Sequence, residues 1–263
     1  MRIVFFGCTK YSEEILIDLI DRKYKIIGIF SITKAFNISY SVKKVKNFNF
    51  ADLSSIAKEK NIPFFIVDGE KGKKLNDYED IIRELNPDLL LVLGWYYMVP
   101  KNIRELANYG AWGIHASLLP NYAGGAPLVW AIIEGKKSTG VTLFRFEDGV
   151  DDGDIISQVE FNIEDNETIK EVYEKAIFNS KLILRSSLEN IDNVSYTKQD
   201  KTKIKIYAQR SPEDGLINWS ESSKKIKDFI RAQTKPYPGA FTIINNKKVI
   251  IWDADIEEVS PDI

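Results

Sequence analysis

The chain has 263 residues, 44% hydrophobic and 28% charged, enough for one large α/β domain or one domain with a small appendage. One histidine and one cysteine exclude an intrachain disulfide and any zinc centre of the Cys₄, Cys₂His₂ or His₃ kind, so no metal is expected. Lys and Arg number 36 against 38 Asp and Glu, and no apolar run reaches the ~18 residues that span a bilayer. A cytoplasmic chain is expected, with no nucleic-acid or membrane partner and no signal peptide ahead of Ile3.

In chain order, Ile3-Val4-Phe5-Phe6 ends at Gly7 and reads as a buried parallel strand. Ser12 is the expected cap of a helix whose stripe is Ile15, Leu16, Leu19 and Ile20. Residues 24–30 read as a strand, and the lysine-bearing stretch 31–49 as a loop. Then come a helix over 51–60, a strand over 63–67 and a helix over 78–85. The run from Asp88 to Gly94 is the strongest buried strand. A short helix opens at Pro100, and 111–114 is a brief strand. Pro127 suits the first position of a helix running to Glu134. Strands over 140–146 and 155–161 flank an acidic turn, and a long helix covers 167–188. This alternation implies right-handed βαβ units and a parallel sheet, with a boundary placed between residues 192 and 193. In the remainder, 222–232 reads as a helix, and two apolar runs (240–244 and 249–253) flank Asn245-Asn246.

Ligands of open parallel sheets sit at the carboxyl ends of the strands, where strand order reverses. Three segments qualify: Gly7–Lys10, Gly94–Pro100 and Ile114–Pro120. The first has neither the dinucleotide nor the P-loop glycine pattern. Any imidazole chemistry must use His115, which could equally be a structural histidine. The long constrained loop after it favours a site. The stretch Glu147–Asp154 holds five carboxylates in eight positions. It could be a solvated turn or could orient His115, and it lacks the ligand order of a calcium loop. Lys198, Lys201, Lys203 and Lys205 alternate with Ile204 and Ile206, as in a charge-protected edge strand or, less simply, a phosphate contact. Trp95, Tyr96 and Tyr97 could wall a planar-ring pocket or belong to the core.

Three segments resemble the folate-dependent formyltransferases, a family with methionyl-tRNA and nucleotide-sugar N-formyltransferase branches. They are Gly113-Ile114-His115-Ala116-Ser117-Leu118-Leu119-Pro120, Ala126-Pro127-Leu128-Val129-Trp130-Ala131-Ile132, and Gly140-Val141-Thr142 through Gly149-Val150-Asp151-Asp152-Gly153-Asp154. The likeness extends to Phe5-Phe6-Gly7, to Pro212–Trp219 and to Arg231–Phe241, and so covers nearly the whole chain. It implies a Rossmann-like formyl-transfer domain (1–192) with a small, mainly-β C-terminal subdomain (193–263). It also implies 10-formyltetrahydrofolate as donor and an amine as acceptor. His115 would be the base and Asp151 its partner. The folate would contact Leu93, Gly94, Trp95, Tyr96, Met98 and Val99 on one side and Val150, Asp152 and Asp154 on the other. The acceptor would meet Gly124, Gly125, Ala126, Pro127 and Tyr237.

Two positions depart from the family pattern. The Asn expected two residues before the histidine is Gly113, and the loop Tyr122-Ala123-Gly124-Gly125-Ala126-Pro127 lacks the usual arginine. Protonated His115, a main-chain N–H or a bound water would then have to stabilise the charge developing on the formyl oxygen. The acidic total and the short tail after residue 200 favour a small acceptor, a nucleotide-linked amino sugar. The lysine-rich 31–49 stretch and Pro236-Tyr237-Pro238-Gly239 would meet its diphosphate or base. With Ser39-Tyr40-Ser41, the overall look is nearest to sugar formyltransferases of surface-glycan pathways, of the pseudaminic-acid type. A methionyl-tRNA formyltransferase and a non-catalytic folate- or sugar-binding relative are the alternatives, and a homodimer is left open.

Overall fold

In the computed structural model, residues 1–37, 44–68 and 74–258 are described. The chain order is β1 (Arg2–Phe6), α1 (Lys10–Asp21), β2 (Lys25–Ile32), β3 (Ala35–Phe36), β4 (Val45–Lys46), α2 (Ser54–Glu59), β5 (Phe64–Val67), α3 (Glu79–Leu85), β6 (Leu89–Val92), α4 (Lys101–Arg104) and β7 (Ala111–His115). It continues with β8 (Ala123–Gly124), α5 (Pro127–Ile133), β9 (Ser138–Arg145), β10 (Ile155–Asn162), α6 (Ile169–Glu189), β11 (Ile206–Tyr207), α7 (Ser223–Arg231), β12 (Ala240–Ile244) and β13 (Lys247–Ile251).

Two compact units share these elements. The first comprises residues 1–115, 142–157 and 180–199; the second comprises 116–141, 158–179 and 200–263. The seven-stranded sheet has the order β10-β9-β7-β6-β1-β2-β5. Pairing is parallel from β5 through β2, β1 and β6 to β7, and antiparallel between β7 and β9. The chain builds outward from β1 to β2 and β5, then returns to place β6 on the other flank of β1. The switch point therefore lies between the carboxyl ends of β1 and β6, the position expected to carry a site. The unbroken apolar runs explain why these two strands are central. Ile3 to Phe6 and Leu89 to Leu91 are fully buried on both faces, and each such side chain contributes about 1.5–3 kcal/mol on leaving water.

Several expectations are corrected by local chemistry. The cap of α1 is Thr9, not Ser12: the Thr9 side chain accepts from the Ser12 amide while Ser12 reciprocates, a capping box three residues earlier. The stretch 31–49 is not all loop, because β2 runs on to Ile32 and β3 pairs antiparallel with β4. Ser39-Tyr40-Ser41 lies outside the described residues. The lysine-rich stretch after residue 198 is not an edge strand through 198–206. Asp200 accepts from the Thr202 amide and winds 201–203 into a 3₁₀ turn, leaving β11 as the strand of this stretch. In the second unit, β11 pairs with β8. The β12–β13 hairpin turns on Asn245 and Asn246, both left-handed, as a tight two-residue connection requires.

Cys8 is fully buried, and burial pushes its thiol up to about 12, against the opposing pull of the Asn47 amide. The native protein at pH 8 is therefore expected to resist a disulfide-exchange reagent and to release one reactive thiol only on denaturation. Labelling within the mixing time would show that this strand end opens.

Candidate active site

His115 is the last residue of β7, opposite Thr142 of β9, and is 8% exposed. Its Nδ1 lies 3.4 Å from Asp151 Oδ2. Asp151 reaches it from the loop between β9 and β10 with a left-handed backbone, φ 51°. Both side chains are mostly buried, with 9% and 19% of their surface exposed.

The loop after β6 forms at the switch point itself. Leu93 N donates to Phe6 O, Ser12 Oγ to Leu93 O at 2.6 Å, and Cys8 Sγ to Gly94 O. Gly94 has φ 58°, and a Cβ there would stand 2.1 Å from Thr9 Oγ1, so this crossing of two strand ends admits only glycine. Trp95 meets Phe6 edge to face at 5.5 Å, and Tyr96 packs on Phe36 at 4.8 Å. The Trp95 indole nitrogen is enclosed and has no hydrogen-bond partner among the described residues. Met98 is exposed, whereas the Val99 side chain belongs to the core beneath the loop.

Arg104, which the sequence reading passed over, joins this loop to the acidic one. Its buried guanidinium donates to Val99 O at 3.0 Å and Glu147 O at 2.8 Å, and it pairs with the Asp148 carboxylate. Asp152 caps the acidic turn by accepting from Gly149 N at 3.1 Å; Val150 is exposed; Asp154 O accepts from Arg145 N. Gln199, also passed over, donates Nε2 to Asp151 O and Gly153 O. Both contacts join residues more than 40 apart in sequence, so no local pattern signals them. The vacancy at Gly113 has a physical counterpart as well. A Cβ there would lie 2.2 Å from Phe146 Cε1, so the Phe146 ring occupies the volume a side chain at 113 would need.

The first unit thus gathers His115, Asp151, Leu93–Val99 and Val150–Asp154. The second holds Gly124, Gly125, Ala126, Pro127 and Tyr237. There, Gly125 N donates to Tyr207 O at 2.8 Å. Ala126 is the left-handed cap before Pro127 at the start of α5. Tyr122 and Tyr207 both donate to the Glu134 carboxylate, at 2.5 and 3.1 Å. Tyr237 is half-buried, and burial pushes its phenol up to about 12.

A lone imidazole backed by a carboxylate, at the carboxyl edge of a mostly parallel sheet, marks an α/β protein, and such a pair is chemically able to take up a proton. The family model for formyl transferase matches residues 1–187, and that for the formyl transferase C-terminal domain matches 209–262. The chain belongs to the formyl transferase family. It is 35% identical over 209 residues to the bifunctional polymyxin resistance protein ArnA of Wigglesworthia glossinidia brevipalpis, covering 79% of this chain but 32% of that longer protein. It is 31% identical over 255 residues to the methionyl-tRNA formyltransferase of Malacoplasma penetrans, covering 96% of this chain and 77% of that one. Among solved structures it shares the fold of WlaRD, a sugar 3N-formyl transferase in the presence of dTDP and 5-N-formyl-THF. The TM-score is 0.67 at 21% identity, over 95% of this chain and 85% of that one.

Proposed function

We propose that this chain transfers a formyl group from 10-formyltetrahydrofolate to the amine of a nucleotide-linked amino sugar. Residues 1–192 would act as the transfer domain and 193–263 as a C-terminal subdomain. The observation that carries the chemistry is the His115–Asp151 pair, 3.4 Å apart at a strand end, in a chain that belongs to the formyl transferases. An amine that attacks a formyl carbon must shed a proton, and an imidazole is the side chain suited to accept it near neutral pH. Asp151 orients the ring through Nδ1, leaving Nε2 for the amine.

The folate supplies the formyl group. Leu93, Gly94, Trp95, Tyr96, Met98 and Val99, with Val150, Asp152 and Asp154, are the residues proposed to hold it. The fit is supported by the Trp95 indole N–H, which has no partner among the described residues and which an acceptor on a planar ligand would satisfy, and by the aromatic faces beside it. Gly124–Pro127 and Tyr237 are proposed for the acceptor.

A small acceptor is supported by charge. Residues 200–258 carry eleven Lys and Arg against nine Asp and Glu, far from the basic excess that a phosphate backbone calls for. A second reading, formylation of methionyl-tRNA, is favoured by the 31% identity to the Malacoplasma enzyme. The test is a formylation assay with 10-formyltetrahydrofolate, run in parallel on a panel of nucleotide-linked amino sugars and on methionyl-tRNA, with the products read by mass spectrometry. A gain of one formyl group on a sugar is the expected result. Formylation of the tRNA alone would transfer the assignment to the second reading. No product in either arm would favour a binding protein without catalysis.

A further inference from the structure

We infer that Gln199 is a positioning residue of this site: its side-chain amide holds the loop that delivers Asp151 to His115. The inference rests on the reading of His115 and Asp151 as the acid–base pair. Asp151 adopts a left-handed backbone, φ 51°, a conformation that a residue with a Cβ keeps where its surroundings hold it. Within the loop Asp152 caps the turn by accepting from Gly149 N, while Glu147, Asp148, Gly149 and Val150 are exposed. Arg104 fixes its leading end at Glu147 and Asp148. Its trailing end is fixed from elsewhere. Gln199 Nε2 donates to Asp151 O at 2.8 Å and to Gly153 O at 2.6 Å, so one NH₂ group uses both hydrogens on the carbonyls either side of Asp152.

The orientation of this amide is dictated by its partners, since two carbonyl oxygens can accept only from the nitrogen end. Gln199 is 8% exposed, and its Oε1 is enclosed with no donor among the described residues. Its own backbone is anchored two residues earlier, where Thr197 and Ile155 exchange both main-chain hydrogen bonds at 2.8 Å. The residue type also matters. A lysine or arginine at 199 could donate to the same carbonyls, but its charge would compete with His115 for the Asp151 carboxylate. A neutral double donor braces the backbone and leaves that carboxylate to the imidazole.

The test exploits the single histidine, whose ring resonances need no assignment against others. Imidazole nitrogen spectra of the full chain are recorded for the parent, Asp151→Asn, Gln199→Met (similar length, no donors) and the double variant. Gln199→Glu serves as a second, polar replacement, since an ionised carboxylate cannot donate. In both single Gln199 variants the His115 signals are expected to move toward their Asp151→Asn positions. In the Asp151→Asn background, Gln199→Met is expected to add nothing further. With the acceptor identified by the formylation panel, kcat is expected to fall about 10- to 100-fold, with the 10-formyltetrahydrofolate dissociation constant within threefold of the parent. His115 signals that stay at parental positions in Gln199→Met, or shifts that add to those of Asp151→Asn, would overturn the inference. If instead the signals move as expected while His115→Ala retains full turnover, the brace stands and the acid–base reading fails.

Discussion

His115→Ala is expected to lower kcat by about 10²- to 10⁴-fold, the range a positioned general base contributes, while 10-formyltetrahydrofolate still binds. Two features set the size of the effect. No second histidine exists in the chain to take the proton, and the nearby carboxylate, Asp151, is placed on Nδ1 rather than on the path of an incoming amine. Binding should survive because the loop proposed for the folate is held by contacts that do not involve His115. Leu93 N donates to Phe6 O, Ser12 Oγ donates to Leu93 O, and Arg104 holds Val99 O. Partial recovery on adding free imidazole would identify the missing group as the base. Single-turnover kinetics and equilibrium donor binding separate the two quantities, and unchanged turnover in His115→Ala would remove the imidazole from the reaction.

Much of the frame was legible in sequence because its signals are local. Ile3–Phe6 and Leu89–Leu93 are unbroken apolar runs, and only a strand buried on both faces tolerates such runs in a chain this polar. The α5 start was legible from Pro127, and the β12–β13 turn from Asn245-Asn246, since each residue's backbone preference marks the feature directly. His115 stood out by count and by its place after a strand. The bracing residues were not legible. Arg104 and Gln199 are ordinary polar residues until folding brings them to carbonyls 43 to 48 positions away. The lysine-rich 198–206 stretch misled for a related reason. Its alternation imitates a strand, but Asp200 offers the backbone a local acceptor that wins over extension. Gly113 was legible as a departure from the family pattern, yet its meaning depends on Phe146, which reaches it only through the antiparallel pairing of β7 with β9.

That pairing fixes the second large effect: Gly113→Asn alone is expected to destabilise the chain and not to raise turnover. Gly113 sits opposite Phe144, and Phe146 follows two residues later, its ring stacked on Phe144 at 5.2 Å and its amide donating to Ala111 O at 2.8 Å. A Cβ at 113 would meet Phe146 Cε1 at 2.2 Å and Cζ at 2.9 Å. The ring is rigid and stacked, so it or the strand must shift, and overpacking of this kind costs about 1–3 kcal/mol. At about 2–4 °C per kcal/mol for a chain of this size, Tm should fall by several degrees. The informative comparison is Gly113→Asn/Phe146→Ala against Phe146→Ala. With the ring gone, the amide has room, and an added donor to a developing oxyanion is worth up to about 10²–10³ in kcat where none is present. A rise of tenfold or more in the double variant over Phe146→Ala would show that the position lacks a donor because Phe146 closes it. Equal rates would show that another group, His115 or a main-chain N–H, already stabilises the charge. A parental Tm in Gly113→Asn alone would show that the ring yields, and that glycine at 113 is not imposed by packing.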